Sequence, residues 1–190
     1  MEEEGNRFVY LFERENGQKA FLRIYDDIQR DPQEAQISSA LKTMVVEAPM
    51  VAFVTGHGER DIYKGGERDY SAFAKNPTFR YALINQGFRV STLDLKADTA
   101  AVDIDVLVIA DVREAYTPEE VTKVQRFLAR GGDLIIACEP RRQSLMNPLV
   151  EKVGITFMPG TVVEETQGYA ANQLFLDPTA TAMKTNSEYY

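Results

Sequence analysis

Apolar positions along this chain follow two rhythms that meet near Pro49. Before it, Phe8, Tyr10 and Phe12 alternate with other residues, and Phe21, Arg23 and Tyr25 alternate again after Glu15-Asn-Gly-Gln18. Period-two alternation on both sides of an Asn-Gly turn predicts a β-hairpin over residues 7–25. A lone hairpin is marginal in water, so it must pack on something. Ile37, Leu41, Met44 and Val45 then recur at helical spacing and predict a buried stripe on a helix over 34–46, ended by Pro49.

Beyond residue 50 short apolar runs alternate with helical patterns. Strands are expected at 51–55, 88–95, 106–110 and 134–138, with a fifth at 155–163. Residues 70–86 are helical in character, with Pro77 starting a new helix or kinking this one, and Gly87 at the end. Thr117-Pro-Glu-Glu120 opens the clearest helix: Thr as N-cap, Pro at the first position and Glu completing a capping box. Val121, Val124, Phe127 and Leu128 form its apolar stripe, and Gly131-Gly132 stop it. Another short helix is expected at 145–153, around Pro148. This alternation predicts an α/β fold with a mostly parallel sheet, flavodoxin-like or glutamine-amidotransferase-like, with helices on both faces and the hairpin in front. The connection at 96–105 is short for a full crossover and is expected to hold a single turn at most. Domain boundaries follow: a hairpin appendage at 1–33, the α/β domain at 34–165, and an irregular tail at 166–190.

Composition narrows the class. The 190 residues are 44% apolar, enough to bury a core, and the net charge of -8 argues against a nucleic-acid surface. Docking on anionic lipid through charge is disfavoured for the same reason. No apolar run approaches the roughly 20 residues of a membrane helix, so the chain as given is expected to be soluble. One cysteine, Cys138, excludes an internal disulfide and a Cys-rich zinc site.

Candidate chemistry gathers where the strands end, the usual ligand edge of an open α/β sheet. The first strand ends in Gly56-His57-Gly58-Glu59, which holds the chain's one histidine. Asp111 and Arg113 follow the third strand, and Cys138, Glu139 and Arg141-Arg142 the fourth. In a flavodoxin-like order, His57 and Asp111 face each other across the switch point. Three chemistries compete with a structural role. Cys138 as nucleophile with His57 as base is one, although Glu139 and Pro140 are poor flanks for a nucleophile turn. A metal held by His57, Glu59, Asp111 and Glu139 is another. Phosphate binding is weakened by the lack of a P-loop lysine and of GxGxxG spacing. Alternatively, His57 is a turn residue that bonds a backbone carbonyl or Glu59 and holds the loop in shape. The hairpin aromatics are expected to pack, or to form a partner interface where left exposed. No cofactor is expected.

Val51-Ala-Phe-Val-Thr-Gly-His-Gly-Glu59, Asp103-Ile-Asp-Val-Leu-Val-Ile-Ala110 and Thr117-Pro-Glu-Glu-Val121 leading to Phe127-Leu-Ala-Arg-Gly-Gly-Asp-Leu-Ile-Ile136 resemble the ABC-transporter auxiliary family that includes the gliding-motility GldG proteins. The upstream Glu34-Ala-Gln-Ile-Ser-Ser-Ala-Leu41 also resembles that family. The resemblance implies an extracytoplasmic, periplasmic domain of a bacterial membrane-anchored protein. Its expected partners are an ABC permease and ATPase, with a protein or glycan ligand, and its expected role is not enzymatic. The family's common Gly-Pro after the third strand is replaced here by Asp111-Val112-Arg113.

Overall fold

The hairpin forms around its Asn-Gly turn: β1 (Val9–Glu13) pairs antiparallel with β2 (Lys19–Arg23). The computed structural model describes residues 9–66, 69–97, 103–165, 167–174, 177, 179–180 and 184. Phe8 of the expected alternation and the middle of the 96–105 connection lie outside the described residues. Register puts Tyr10 opposite Leu22 and Phe12 opposite Ala20, so these share one face, while Phe21 and Arg23 are on the other. The inward residues are therefore Phe12, Ala20 and Leu22, not Phe21 and Arg23.

Helix α1 (Glu34–Thr43) is three residues shorter than expected and buries a neighbouring stripe. Gln36, Ala40 and Met44 face inward, whereas Ile37, Leu41 and Val45 are exposed. Hairpin contacts decide this, because small Ala20 and Ala40 let the two elements approach and Met44 fills beside Leu22. Gln36 is drawn in by Arg80, whose guanidinium is 3% exposed. Arg80 donates to Gln36 Oε1 at 2.9 Å and to both carboxylate oxygens of Asp27 at 2.7 and 3.0 Å. It also donates to the carbonyls of Gln29 and Asp31 and stacks on the Tyr25 ring.

The strands β3 (Met50–Thr55), β4 (Arg89–Asp94), β5 (Val106–Ala110) and β6 (Asp133–Ala137) form a parallel sheet in the order β4-β3-β5-β6. That order is the flavodoxin-type arrangement, with its switch point between β3 and β5. Ala52, Val54, Leu107 and Ile109 pack on one face against α3 (Pro118–Ala129) and α4 (Gln143–Val150). On the other face Val51, Phe53 and Val108 meet Ile62, Leu83 and the helix α2 (Ser71–Lys75). Gly132 follows α3 so closely that a Cβ there would stand 2.3 Å from the Phe127 ring.

Two expected elements change. Residues 70–86 hold only the five-residue α2 and a 3-10 turn at Leu83–Asn85. Pro77 pushes Asn76 out of helical geometry to ψ 113, and the Asn76 side chain caps the Thr78 N–H instead. No fifth strand forms at 155–163 among the described residues. The amide of Asn147 pairs with both backbone groups of Phe157, and Pro159-Gly160 break the run. The chain divides into two compact units, Met1–Phe157 and Met158–Tyr190. Within the second, Glu164 N–H donates to the Ala171 carbonyl, and the described residues of 158–174 are exposed.

Candidate functional site

The loop after β3 turns on glycines at left-handed φ, 115° at Gly56 and 74° at Gly58. Gly58 must be glycine on two counts, since a Cβ would meet the Arg113 Cβ at 2.9 Å. At Gly56 a Cβ would stand 3.2 Å from Asp94 Oδ1. Between them His57 points inward and is 3% exposed. Its Nε2 lies 3.3 Å from Glu120 Oε2, its Nδ1 is 3.8 Å from Glu59 Oε1, and its ring packs on Tyr116 at 4.4 Å. Its backbone is engaged as well. The His57 carbonyl accepts from the Arg113 and Glu114 N–H groups, and its own N–H donates to Glu59 Oε2 at 2.7 Å.

Around this ring every partner comes from a local rule. Tyr116 precedes the Thr117 N-cap, the position from which a residue packs back onto the first turns of a helix. Its hydroxyl donates to Glu59, and burial, reinforced by that bond, raises its pKa well above the ordinary phenol value. Glu120 closes the expected capping box, accepting the Thr117 N–H at 2.8 Å. Burial alone would push its carboxyl up, yet the bonds from Thr117, with His57 and Lys96 nearby, hold it below the usual carboxylate range. A carboxylate in the first turn also suits the helix dipole. His57 Nδ1 and Glu120 Oε1 remain unpartnered among the described residues.

A second cluster lies along the strand ends. Arg60 forms an ion pair with Asp111 and donates to Glu139 Oε1 at 3.0 Å. Its backbone N–H bonds the Ala110 carbonyl, and its guanidinium lies 5.5 Å from the Tyr70 ring centroid. Asp111 is buried and held at φ 55°, an uncommon position for a non-glycine residue. Its N–H is fixed by the Ala137 carbonyl at 2.9 Å. Arg113 and Arg141 are exposed beside this row, Arg141 at φ 69°. Cys138 is half-buried, and its sulfur lies 3.3 Å from the Glu139 carbonyl oxygen. Burial, with Asp111 and Glu139 close by, pushes its thiol pKa up.

The expected residues thus separate into two groups. His57 and Glu59 go beneath the N-terminus of α3, while Asp111 and Glu139 are joined by Arg60, so the His57 ring meets Glu120 rather than Asp111. Arg60, Tyr116 and Glu120 are site residues that the sequence pattern does not mark, although Arg60 stands directly after Thr-Gly-His-Gly-Glu and Glu120 reads there as a helix cap. Among the described residues no group of three or more His, Cys, Asp or Glu side chains is placed to hold a metal. Nor is any described helix long and apolar enough to cross a membrane.

Comparison with known proteins agrees with the motif. Residues 48–177 match the family described as an ABC-type uncharacterized transport system. No curated protein and no solved structure matches. With most of its length matched, the chain belongs to this family, an accessory component of ABC-type transport.

Proposed function

We propose that this family member is a non-enzymatic accessory domain of an ABC-type export or gliding-motility system, standing outside the cytoplasm beside the permease and ATPase. In this reading the strand-end edge, with Arg60, Asp111 and Glu139 as its base and Arg113 and Arg141 at its surface, captures a protein or glycan-like ligand. The observation that carries the reading is the withdrawal of His57, the one candidate base, to 3% exposure beneath α3. A general base must reach the proton that it abstracts, and among the described residues this ring meets Glu120, Glu59 and Tyr116. A nucleophilic thiol needs a lowered pKa, and that of Cys138 is raised. Exposed Tyr10 and Leu11 on the hairpin support a second contact with the partner.

Replacing Arg113 and Arg141 together by Glu tests the edge. Both are exposed, so stability is expected to hold within about 2 °C in Tm. Association with the permease of the same system, measured with purified components, is expected to weaken about tenfold or more. Unchanged affinity with an unchanged Tm refutes the edge as the contact.

A further inference from the structure

A cavity of about 190 Å³ lies where the hairpin, α1 and the 3-10 turn meet, away from the strand-end edge. Its lining is mixed, with apolar Ala20 and Leu22 beside polar Arg23, Tyr25, Gln36 and Ser39. Tyr25 and Gln36 are 2% and 4% exposed, respectively. Gln36 Oε1 accepts from Arg80 and from the Gln33 N–H, but its amide nitrogen donates to no described residue. The hydroxyls of Tyr25 and Ser39 likewise have no partner among the described residues. A polar guest in the cavity would satisfy these donors.

The charge of the lining says which guest. In a chain of net charge -8, no Asp or Glu lines this cavity among the described residues, whereas Lys19 and Arg23 do. Arg23 is steered by Asn85, whose Oδ1 accepts from it at 3.0 Å. Asp27, whose charge also reaches Tyr25, is tied to Arg80 and lies outside the lining. Burial raises the Tyr25 phenol above its ordinary value, so the hydroxyl stays a donor at neutral pH. The volume is that of roughly six waters, matching a molecule of a few heavy atoms.

We propose that this cavity binds a short-chain aliphatic carboxylate, its oxygens accepting from Tyr25, Gln36 and Ser39 beside Arg23 and its chain lying on Ala20 and Leu22. The test titrates the full 190-residue chain with sodium butyrate, against sodium chloride at equal ionic strength and, separately, inorganic phosphate, reading Tm and heat of binding. A saturable rise in Tm with butyrate alone is expected. Tyr25→Phe deletes an oxygen that bonds none of the described residues, so its Tm without butyrate should equal or exceed that of the parent. Its butyrate affinity should fall about tenfold, the scale of one hydrogen bond to a charged group, and Ser39→Ala should lower affinity in the same direction. The proposal is overturned by the absence of a saturable rise, by an equal rise in Tyr25→Phe, or by a rise with phosphate only. A lower Tm for Tyr25→Phe without butyrate also overturns it, because the hydroxyl then serves the fold through water.

Discussion

Replacing His57 by alanine separates a structural histidine from a functional one. The ring is 3% exposed, stacks 4.4 Å from Tyr116 and lies 3.3 Å from Glu120 Oε2. A close contact of a ring nitrogen with a carboxylate is worth up to about 1.5–3 kcal/mol, the range of a hydrogen bond to a charged group. Emptying a buried ring site costs about 2–5 kcal/mol in comparable large-to-small changes. These figures share atoms and do not simply add, so the expected loss is about 3–4 kcal/mol. For a domain of this size each kcal/mol moves Tm by about 2–4 °C, giving a fall of about 10 °C. His57→Gln keeps an N–H donor toward Glu120 and should fall between the two. Urea unfolding followed by far-UV circular dichroism at neutral pH reads all three proteins. A residue kept for ligand chemistry can be removed with little loss of stability, as strained sites often are. A cost below about 1 kcal/mol for His57→Ala would therefore refute the structural account and return His57 to the candidate bases.

Two further outcomes follow from the electrostatics. Glu120 is held below its usual value of 4.5, so its contribution to stability is present above that pH and lost as pH falls through the lowered folded value. Glu120→Gln should be less stable than the parent at neutral pH, and the gap should close on acidification; a gap independent of pH in urea unfolding contradicts the assignment. Cys138, with its thiol pKa raised by burial, Asp111 and Glu139, should react with iodoacetamide at pH 7 more slowly than a free cysteine and approach it only as pH rises. Faster reaction than free cysteine at pH 7 would revive the nucleophile.

What the sequence disclosed was what short-range chemistry decides. The strands β3, β5 and β6 were legible as short apolar runs; β3 and β5 are buried in the middle of the sheet, while β6 lies at its edge with Ile135 exposed. The Thr117–Glu120 box was legible because both partners lie within one turn. The buried stripe of α1 was not, because Ile37 and Leu41 are better apolar residues than Gln36 and Ala40. Only the hairpin and Arg80, more than forty residues away, select the latter pair. The second role of Glu120 was hidden for a similar reason. A capping glutamate looks complete in sequence, and its Oε2 meets His57 only after β3 and α3 are brought together.

That double use bears on function as well as on folding. His57 fastens the loop after β3 to the segment leading into α3, through its carbonyl on Arg113 and Glu114 and its ring on Glu120. Arg60 then fastens the same loop to the ends of β5 and β6 through Asp111 and Glu139. The ends of β3, β5 and β6 are thereby tied to one another. A surface that must recognise a partner gains affinity from such rigidity, because less freedom is lost on binding. A structural histidine and a binding edge are therefore not rival readings of Thr-Gly-His-Gly-Glu. The buried ring fixes the backbone from which exposed Arg113 projects, while Asp111 and Glu139 hold the far side beside Arg141. Weakening of partner binding by His57→Gln in proportion to its loss of stability, with Arg113 and Arg141 intact, is the behaviour that this linkage requires.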